Sequence, residues 1–258
     1  MKIFNLRKQM GDFCLQIDRM ELAPGVVHGL VGSNGCGKST LSKLIMGILT
    51  PDGGRIDYEG LTPRDLTMTS QKPYLLHDTV YQNLIYPLKV RGIRPDEAEA
   101  DAWLARCGLE GKKNQYARSL SSGEQQKLSF IRALIFHPSF IIVDETMSNL
   151  DPDSTELFEE MILEQQRIRP VTWLIISHQL IHIRRLCGCV HFMEKGRQIA
   201  QGTPEEILLY PQHPAIRSFL ASTEVFYRDP EAPGAGKAAA GREEEPERPA
   251  GNGRDGER

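Results

Sequence analysis

The apolar positions of this chain switch between two spacings. Phe13–Ile17 alternates weakly, as a strand does, and Val26–Val31 is a short apolar run that ends at Gly32. Leu41, Leu44, Ile45 and Ile48 then recur at helical spacing, and Pro51, Gly53 and Gly54 break that period. Leu66–Thr69 is again strand-like. Phe140–Val143 and Thr172–Ile176 are compact runs rich in β-branched residues, the pattern of parallel strands covered on both faces. Asp153 or Ser154 is placed to cap a helix running to about Arg169, where Pro170 ends it. This alternation predicts an α/β domain. From about Pro73 to Ser119 the buried-strand runs disappear. Val80–Leu88 and Pro95–Cys107 read as helices there, so an all-helical insertion into the α/β core is expected.

Composition narrows the class. The chain has 258 residues, enough for one large or two small domains, with 40% hydrophobic and 25% charged residues. A net charge of −3 and a pI of about 6.2 supply no basic footprint, so no nucleic-acid partner is expected. Apolar runs such as Ile141–Val143 and Leu174–Ile176 fall far short of the roughly 20 residues that span a bilayer. The first residues lack the apolar stretch of a signal peptide, and five cysteines, an odd number, suit a reducing compartment. A cytosolic protein is the expectation. From Asp229 the chain contains no aliphatic residue larger than alanine and is rich in Gly, Pro, Glu and Arg. Residues 229–258 are therefore expected to form a disordered tail behind a domain spanning 1–228.

Gly32-Ser33-Asn34-Gly35-Cys36-Gly37-Lys38-Ser39, followed by Thr40, fits a phosphate-binding P-loop between a strand and a helix. Its glycines let backbone N–H groups turn inward as an anion nest, and the helix N-terminus adds partial positive charge. Lys38 can reach the β- and γ-phosphates, and Ser39 offers a small hydroxyl to Mg²⁺. Phe140–Val143 ends in Asp144 and Glu145. In open α/β sheets the ligand crevice lies at such strand ends. Asp144 is placed to hold Mg²⁺ through water, and Glu145 to orient and deprotonate an attacking water. A solvated acidic pair is the other reading of the same two residues.

The remaining motifs resemble those of the ABC ATPases, in the family's order. Leu120-Ser121-Ser122-Gly123-Glu124 resembles the signature usually written LSGGQ, and Ser70-Gln71 resembles the Q-loop. Ser148-Asn149-Leu150-Asp151 resembles the D-loop, and His178, after Leu174–Ser177, the switch histidine. The resemblance implies a P-loop NTPase core with an N-terminal antiparallel β subdomain and a helical subdomain at about 73–133. It implies ATP and Mg²⁺ as cofactors and a head-to-tail dimer of two copies sandwiching two ATP. Ser121, Gly123 and Glu124 then face the partner's nucleotide, Asp151 crosses the interface, Gln71 senses Mg²⁺ and water, and His178 contacts the γ-phosphate.

Within the family, the expectation is the ATPase subunit of a membrane transporter, peripheral on the cytoplasmic face of the inner membrane. Its implied partners are a transmembrane permease and an extracytoplasmic substrate-binding protein. Tyr74, Leu75, Leu76, Val80, Tyr81 and Leu84 would supply a groove for a helix of the permease; the alternative is that several of them pack the helical insertion, and for Leu84 packing is the expectation. The run from His77 to Leu88 resembles bacterial importers of tungstate and related oxyanions. The alternative is a soluble ABC ATPase, for example of Fe–S assembly type. Ser122 departs from the family's glycine, Glu124 from its glutamine, and Thr146-Met147 from its Pro-Thr, which is expected to soften that turn. The aromatic residue that commonly stacks on adenine has Met10 at its position, with Phe13 nearby.

Three other features invite competing readings. His178 and His182 have zinc-binding spacing, but Gln179 stands where a metalloprotease needs glutamate. Cys187-Gly188-Cys189 is half a zinc site, and structural thiols are expected. Cys36 sits where a helix dipole lowers a thiol's pKa, which would make it oxidation-sensitive; a small residue filling the loop is the alternative.

Overall fold

The computed structural model describes residues 1–148 and 150–223, so Asn149 and the tail expected at 229–258 lie outside the described residues. Two sheets organise the chain. β1 (Lys2–Met10), β2 (Phe13–Glu21) and β4 (Gly53–Asp57) form an antiparallel sheet in the order β2-β1-β4. β3 (Val27–Gly32), β5 (Leu66–Ser70), β6 (Phe140–Asp144), β7 (Thr172–Ile176), β8 (Cys189–Glu194) and β9 (Arg197–Gly202) form a second sheet in the order β5-β6-β7-β3-β8-β9. It is parallel except for β9, which returns antiparallel to β8. α1 (Lys38–Ile45) follows the loop after β3. Between β5 and β6 the chain forms α2 (Val80–Arg91), α3 (Glu97–Arg106) and α4 (Ser122–Leu134), with no strand. α5 (Pro152–Ile168), α6 (Leu180–Leu186) and α7 (Pro214–Ser222) complete the described residues.

The six-stranded sheet is buried on both faces, which explains why β6 and β7 read as unbroken apolar runs. On one face, Val31, Val143, Trp173 and Ile175 pack with Phe130 of α4 and Phe158 of α5. The Phe130 and Phe158 rings stack at 4.1 Å, and Trp173 lies 6.5 Å from Phe130. On the other face, Leu30, Ile142, Leu174 and Ile176 pack under Ile3, Leu6, Leu15 and Ile17 of the antiparallel sheet and Leu41 and Leu44 of α1.

Two local expectations are corrected. Asp151, rather than Asp153 or Ser154, caps α5, accepting from Ser154 N at 2.8 Å with Pro152 at the first helical position. α1 stops at Ile45, and Ile48 lies outside it, 64% exposed. Gly53 and Gly54, past the end of the helical period, open β4. Gly54 has φ +77°, and a Cβ there would collide with the Asn5 carbonyl across a bulge in β1, so only glycine fits. The β8–β9 hairpin was not foreseen. Its turn, Lys195-Gly196, has φ of 46° and 81°, the two positive values a tight hairpin turn needs.

The aromatic stack joins the helical insertion to the sheet, so Phe158→Ala is expected to cost about 3–5 kcal/mol. Urea unfolding of the full chain checks this; an unmoved midpoint would show that the stack carries no stability.

Candidate active site at the sheet's carboxyl edge

Parallel register brings the motifs together. Ser70 pairs with Asp144 and Asp144 with Ile176, while Leu30 of β3 also pairs with Ile176. The residues just past these strand ends are Gln71, Glu145, Ser177-His178 and the loop starting at Gly32. Four distant segments therefore converge at one edge.

The loop after β3 is held as a cradle. Gly32 (φ +151°) passes so close to Met193 that a Cβ would collide with its carbonyl oxygen. Gly37 (φ +108°) caps α1, and a Cβ there would lie 2.9 Å from Phe13 Cζ and 2.8 Å from Leu15 Cδ1. Ser33, Asn34 and Gly35 are exposed, so the loop's outer rim faces solvent. Lys38 is almost buried. Its ammonium donates to the Gly32 and Ser33 carbonyls at 2.7 and 3.0 Å, holding a positive charge inside the loop. Thr40 donates to Met10 Sδ at 3.8 Å, which places the tip of β1 beside α1. The hairpin turn supports the loop from behind. Gly196 N donates to Cys36 O at 3.0 Å and Gly196 O accepts from Gln16 N at 2.7 Å. Cys36 is buried, and burial pushes its thiol pKa up against the opposing pull of Lys38. The expected dipole-lowered, oxidation-sensitive thiol is thereby corrected: desolvation outweighs the loop's field.

Asp144 is half-buried, and the nearby Ser39 hydroxyl favours its ionised form. Burial, and then the Glu145 charge, push its pKa up. Hard oxygen donors sharing a partly desolvated negative charge fit Mg²⁺, which would neutralise that charge. Glu145 has φ +49°, a left-handed conformation that costs a non-glycine residue roughly 1–2 kcal/mol. Its N–H donates to Ile176 O at 2.9 Å, and its Oε1 lies 3.7 Å from His178 Nδ1. Strain held at an acid beside an imidazole is typical of a working site.

Ser148, the first residue of the segment that resembles the D-loop, joins the loops. It accepts from Gln71 Nε2 at 3.3 Å, donates to Glu145 O at 2.7 Å, and its carbonyl accepts from Gln179 Nε2 at 3.3 Å. Gln126 of α4 donates to Gln71 O and Thr146 O at 3.1 and 2.8 Å. Thr146 is buried and shares a hydrogen bond with Thr69 at 2.8 Å. The turn after Glu145, expected to be soft without proline, is thus braced by side chains.

Ser121 caps α4 in a reciprocal box with Glu124: Ser121 N donates to Glu124 Oε2 at 3.0 Å and Glu124 N to Ser121 Oγ at 3.4 Å. Lys112 also pairs with Glu124. Glu124 is therefore engaged within its own chain and serves to hold Ser121. Gly123 and Ser122 line an open cavity of about 300 Å³ with Gln71 and Leu150. A Cβ at Gly123 would lie 4.0 Å from Asp151 Oδ2, so the signature and D-loop segments are neighbours.

The tempting zinc pair does not form. His182 is buried and uses both nitrogens, on Glu159 Oε1 at 2.7 Å and Gln179 Oε1 at 2.6 Å, while His178 turns to Glu145. The apolar groove is also partly corrected. Leu75 and Val80 are core, as is Leu84 in line with expectation, whereas Tyr74 is 71% exposed and Leu76 and Tyr81 are half-buried. The insertion's helices need those three aliphatic residues to form their own core.

Comparisons with known proteins agree with this geometry. The sequence model of the ABC transporter family matches residues 15–148. The chain is 35% identical over 202 residues to the tungstate uptake system ATP-binding protein TupC of Peptoclostridium acidaminophilum, covering 76% of this chain and 94% of that protein. It is 33% identical over 217 residues to the methionine import ATP-binding protein MetN 1 of Listeria monocytogenes serotype 4b, covering 78% of this chain and 64% of that relative. Among solved structures it resembles cbiO1 from Clostridium perfringens, part of the ABC transporter complex cbiONQ, with a TM-score of 0.68 and 28% identity over 80% of this chain and 89% of that one. An ATP binding subunit of an ABC transporter matches at TM-score 0.72 and 25% identity, over 80% and 90%. The chain belongs to the ABC transporter family, as an ATP-binding subunit whose ATPase activity is coupled to transport.

The raised pKa of Asp144 yields a test without nucleotide. The folded chain holds this proton more tightly than the unfolded chain, so ionisation of Asp144 costs stability as pH rises through its folded pKa. Asp144→Asn is therefore expected to raise the melting temperature at pH 7. That gain disappears below about pH 4, where the unfolded carboxyl is itself protonated. Calorimetry of both proteins at the two pH values measures the difference.

Proposed function

We propose that this chain is the ATP-hydrolysing subunit of a bacterial importer of a small solute, an inorganic oxyanion of the tungstate type. The observation that carries the ATPase chemistry is the convergence of Lys38, Ser39, Asp144, Glu145 and His178 at one sheet edge. Gly32, Ser33, Asn34, Gly35, Cys36, Gly37 and Thr40 surround the phosphates with backbone N–H groups, and Lys38 transfers its contacts from the loop carbonyls to the β- and γ-phosphates. Ser39 and Asp144 hold Mg²⁺, with Gln71 beside it; bound there, the ion neutralises phosphate charge. Glu145 takes the proton of the attacking water, and His178 faces the γ-phosphate.

One chain supplies only half of each site. Ser121 and Gly123 at the start of α4 present a hydroxyl, backbone N–H groups and a helix N-terminus outward. A second copy, arranged head to tail, brings them onto the first copy's γ-phosphate, and Asp151 crosses between them. ATP then acts as the adhesive of the pair, and hydrolysis releases it to drive the permease. Tyr74, with the partly exposed Leu76 and Tyr81, supplies the contact for a permease helix. Among the described residues no helix is long and apolar enough to cross a membrane, so docking to a permease on its cytoplasmic side supplies the membrane attachment. The identity to the tungstate uptake protein, over nearly all of that protein's length, supports the oxyanion reading. An extracytoplasmic binding protein completes the system.

Glu145→Gln is expected to keep ATP binding and lose about 10²- to 10⁴-fold in turnover. Wild-type turnover would remove Glu145 from the role of base. Ser121→Arg, added to the Glu145→Gln background, is expected to leave ATP binding to the monomer intact and abolish the ATP-dependent dimer on size-exclusion chromatography. An undiminished dimer peak would refute the shared site. Co-purification from native membranes tests the transport reading: a multi-span permease supports it, and a purely soluble partner set would replace it with a soluble ABC ATPase.

A further inference from the structure

The parallel pairing of β3 with β8 sets His28 opposite Cys189 and Leu30 opposite His191. His28, Cys189 and His191 therefore share one face of the sheet, the face that also carries Leu30 and Met193. His28 Nδ1 lies 3.1 Å from His191 Nε2, Cys189 Sγ lies 3.8 Å from the same nitrogen, and all three donor atoms fall within 4.8 Å of one another. A tetrahedral zinc ion, with Zn–N of about 2.0–2.1 Å and Zn–S of about 2.3 Å, places two nitrogens about 3.3 Å apart and nitrogen and sulfur about 3.6 Å apart. We propose that His28, Cys189 and His191 form a binding site for a borderline-soft divalent metal ion of the zinc class.

Three further features fit. His28 Nε2 lies 3.3 Å from Ala23 O; donating there, it leaves the Nδ1 lone pair directed at the cluster, as in histidines whose outer nitrogen is anchored to backbone. His191 is wholly buried, with its Nε2 turned toward the other two donor atoms. Cys189 is only partly buried, which gives the ion a way in and its thiol proton a way out to solvent on binding.

The donor set also separates this site from the nucleotide's Mg²⁺. Two imidazoles and a thiolate suit zinc-class ions, whereas Ser39 and Asp144 offer only oxygen. His28 sits four residues before Gly32, roughly 13 Å along the strand. Cys187 is excluded, because its sulfur packs beside Gly29 and Ile183 in the other core. Three protein ligands leave a fourth position for water, so the ion is exchangeable rather than a closed structural clip.

The test is titration of the metal-free full chain with Co²⁺, a spectroscopic substitute for Zn²⁺. Visible tetrahedral bands and a near-ultraviolet thiolate charge-transfer band are expected to saturate at one equivalent and to be displaced by Zn²⁺. Cys189→Ser should abolish the charge-transfer band, and His28→Gln should weaken Co²⁺ binding at least 10-fold, while Cys36→Ser and Cys187→Ser leave both unchanged. Far-UV circular dichroism checks that each variant folds. An independent reading uses the unmodified chain: Zn²⁺ should protect Cys189 from alkylation, mapped by mass spectrometry, and leave Cys14 open to it. Zn²⁺ at about 100 times its Kd should also raise the melting temperature by about 5–10 °C. Absence of a saturable one-equivalent signal, its survival in Cys189→Ser, or equal alkylation of Cys189 with and without Zn²⁺ would overturn the site.

Discussion

Four parallel strands whose ends lie level with one another are the constraint on which everything else here depends. Because Ser70, Asp144 and Ile176 are hydrogen-bonded neighbours and Leu30 also pairs with Ile176, the chain leaves β5, β6, β7 and β3 along a single line. A one-residue slip in any of these strands would reverse its faces and send its following residue away from the others. The two cores prevent that slip. Trp173 and Ile175 pack with the helices on one side, and Leu174 and Ile176 pack under the antiparallel sheet on the other. Accurate placement of Glu145 against His178 is thus a product of aliphatic packing more than of polar contacts.

The polar contacts near that line do something different. Ser148 and Gln126 tie the Gln71 loop, the turn after Glu145 and the segment before α6 into one hydrogen-bonded set. Gln126 belongs to the helical insertion, and α4 begins at Ser121. A displacement of the insertion is therefore felt at the Gln71 backbone and at the strained turn through a single side chain. This is a mechanical route between the outward-facing signature segment and the chain's own carboxylates.

Much of the site was legible because its chemistry is local. A P-loop is eight consecutive residues, and an apolar strand ending in two acids can be read without knowing its neighbours. The parallel strands and the helical insertion also followed from spacing, since buried parallel strands leave compact runs such as Thr172–Ile176, whereas the antiparallel sheet was implied only by the family resemblance. What stayed hidden was set by partners distant in sequence. The glycine at 54 looks like a breaker until Asn5 is seen opposite it. The pairing of Glu124 with Lys112 is not visible until the two are brought together. Cys36 looks activated until its burial is known. The β8–β9 hairpin was the plainest omission, because Lys195-Gly196 after an apolar run was a sufficient turn signal.

That same hairpin inverts a common rule about protein surfaces. Tight turns between antiparallel strands are usually where a chain accepts insertions, affinity tags or new termini. Here the Gly196 amide supports Cys36 and its carbonyl holds Gln16, with no room for a side chain against Cys14. Splitting or extending the chain at this turn would therefore remove a brace that the nucleotide loop and β2 share, although the turn lies more than 150 residues from that loop in sequence.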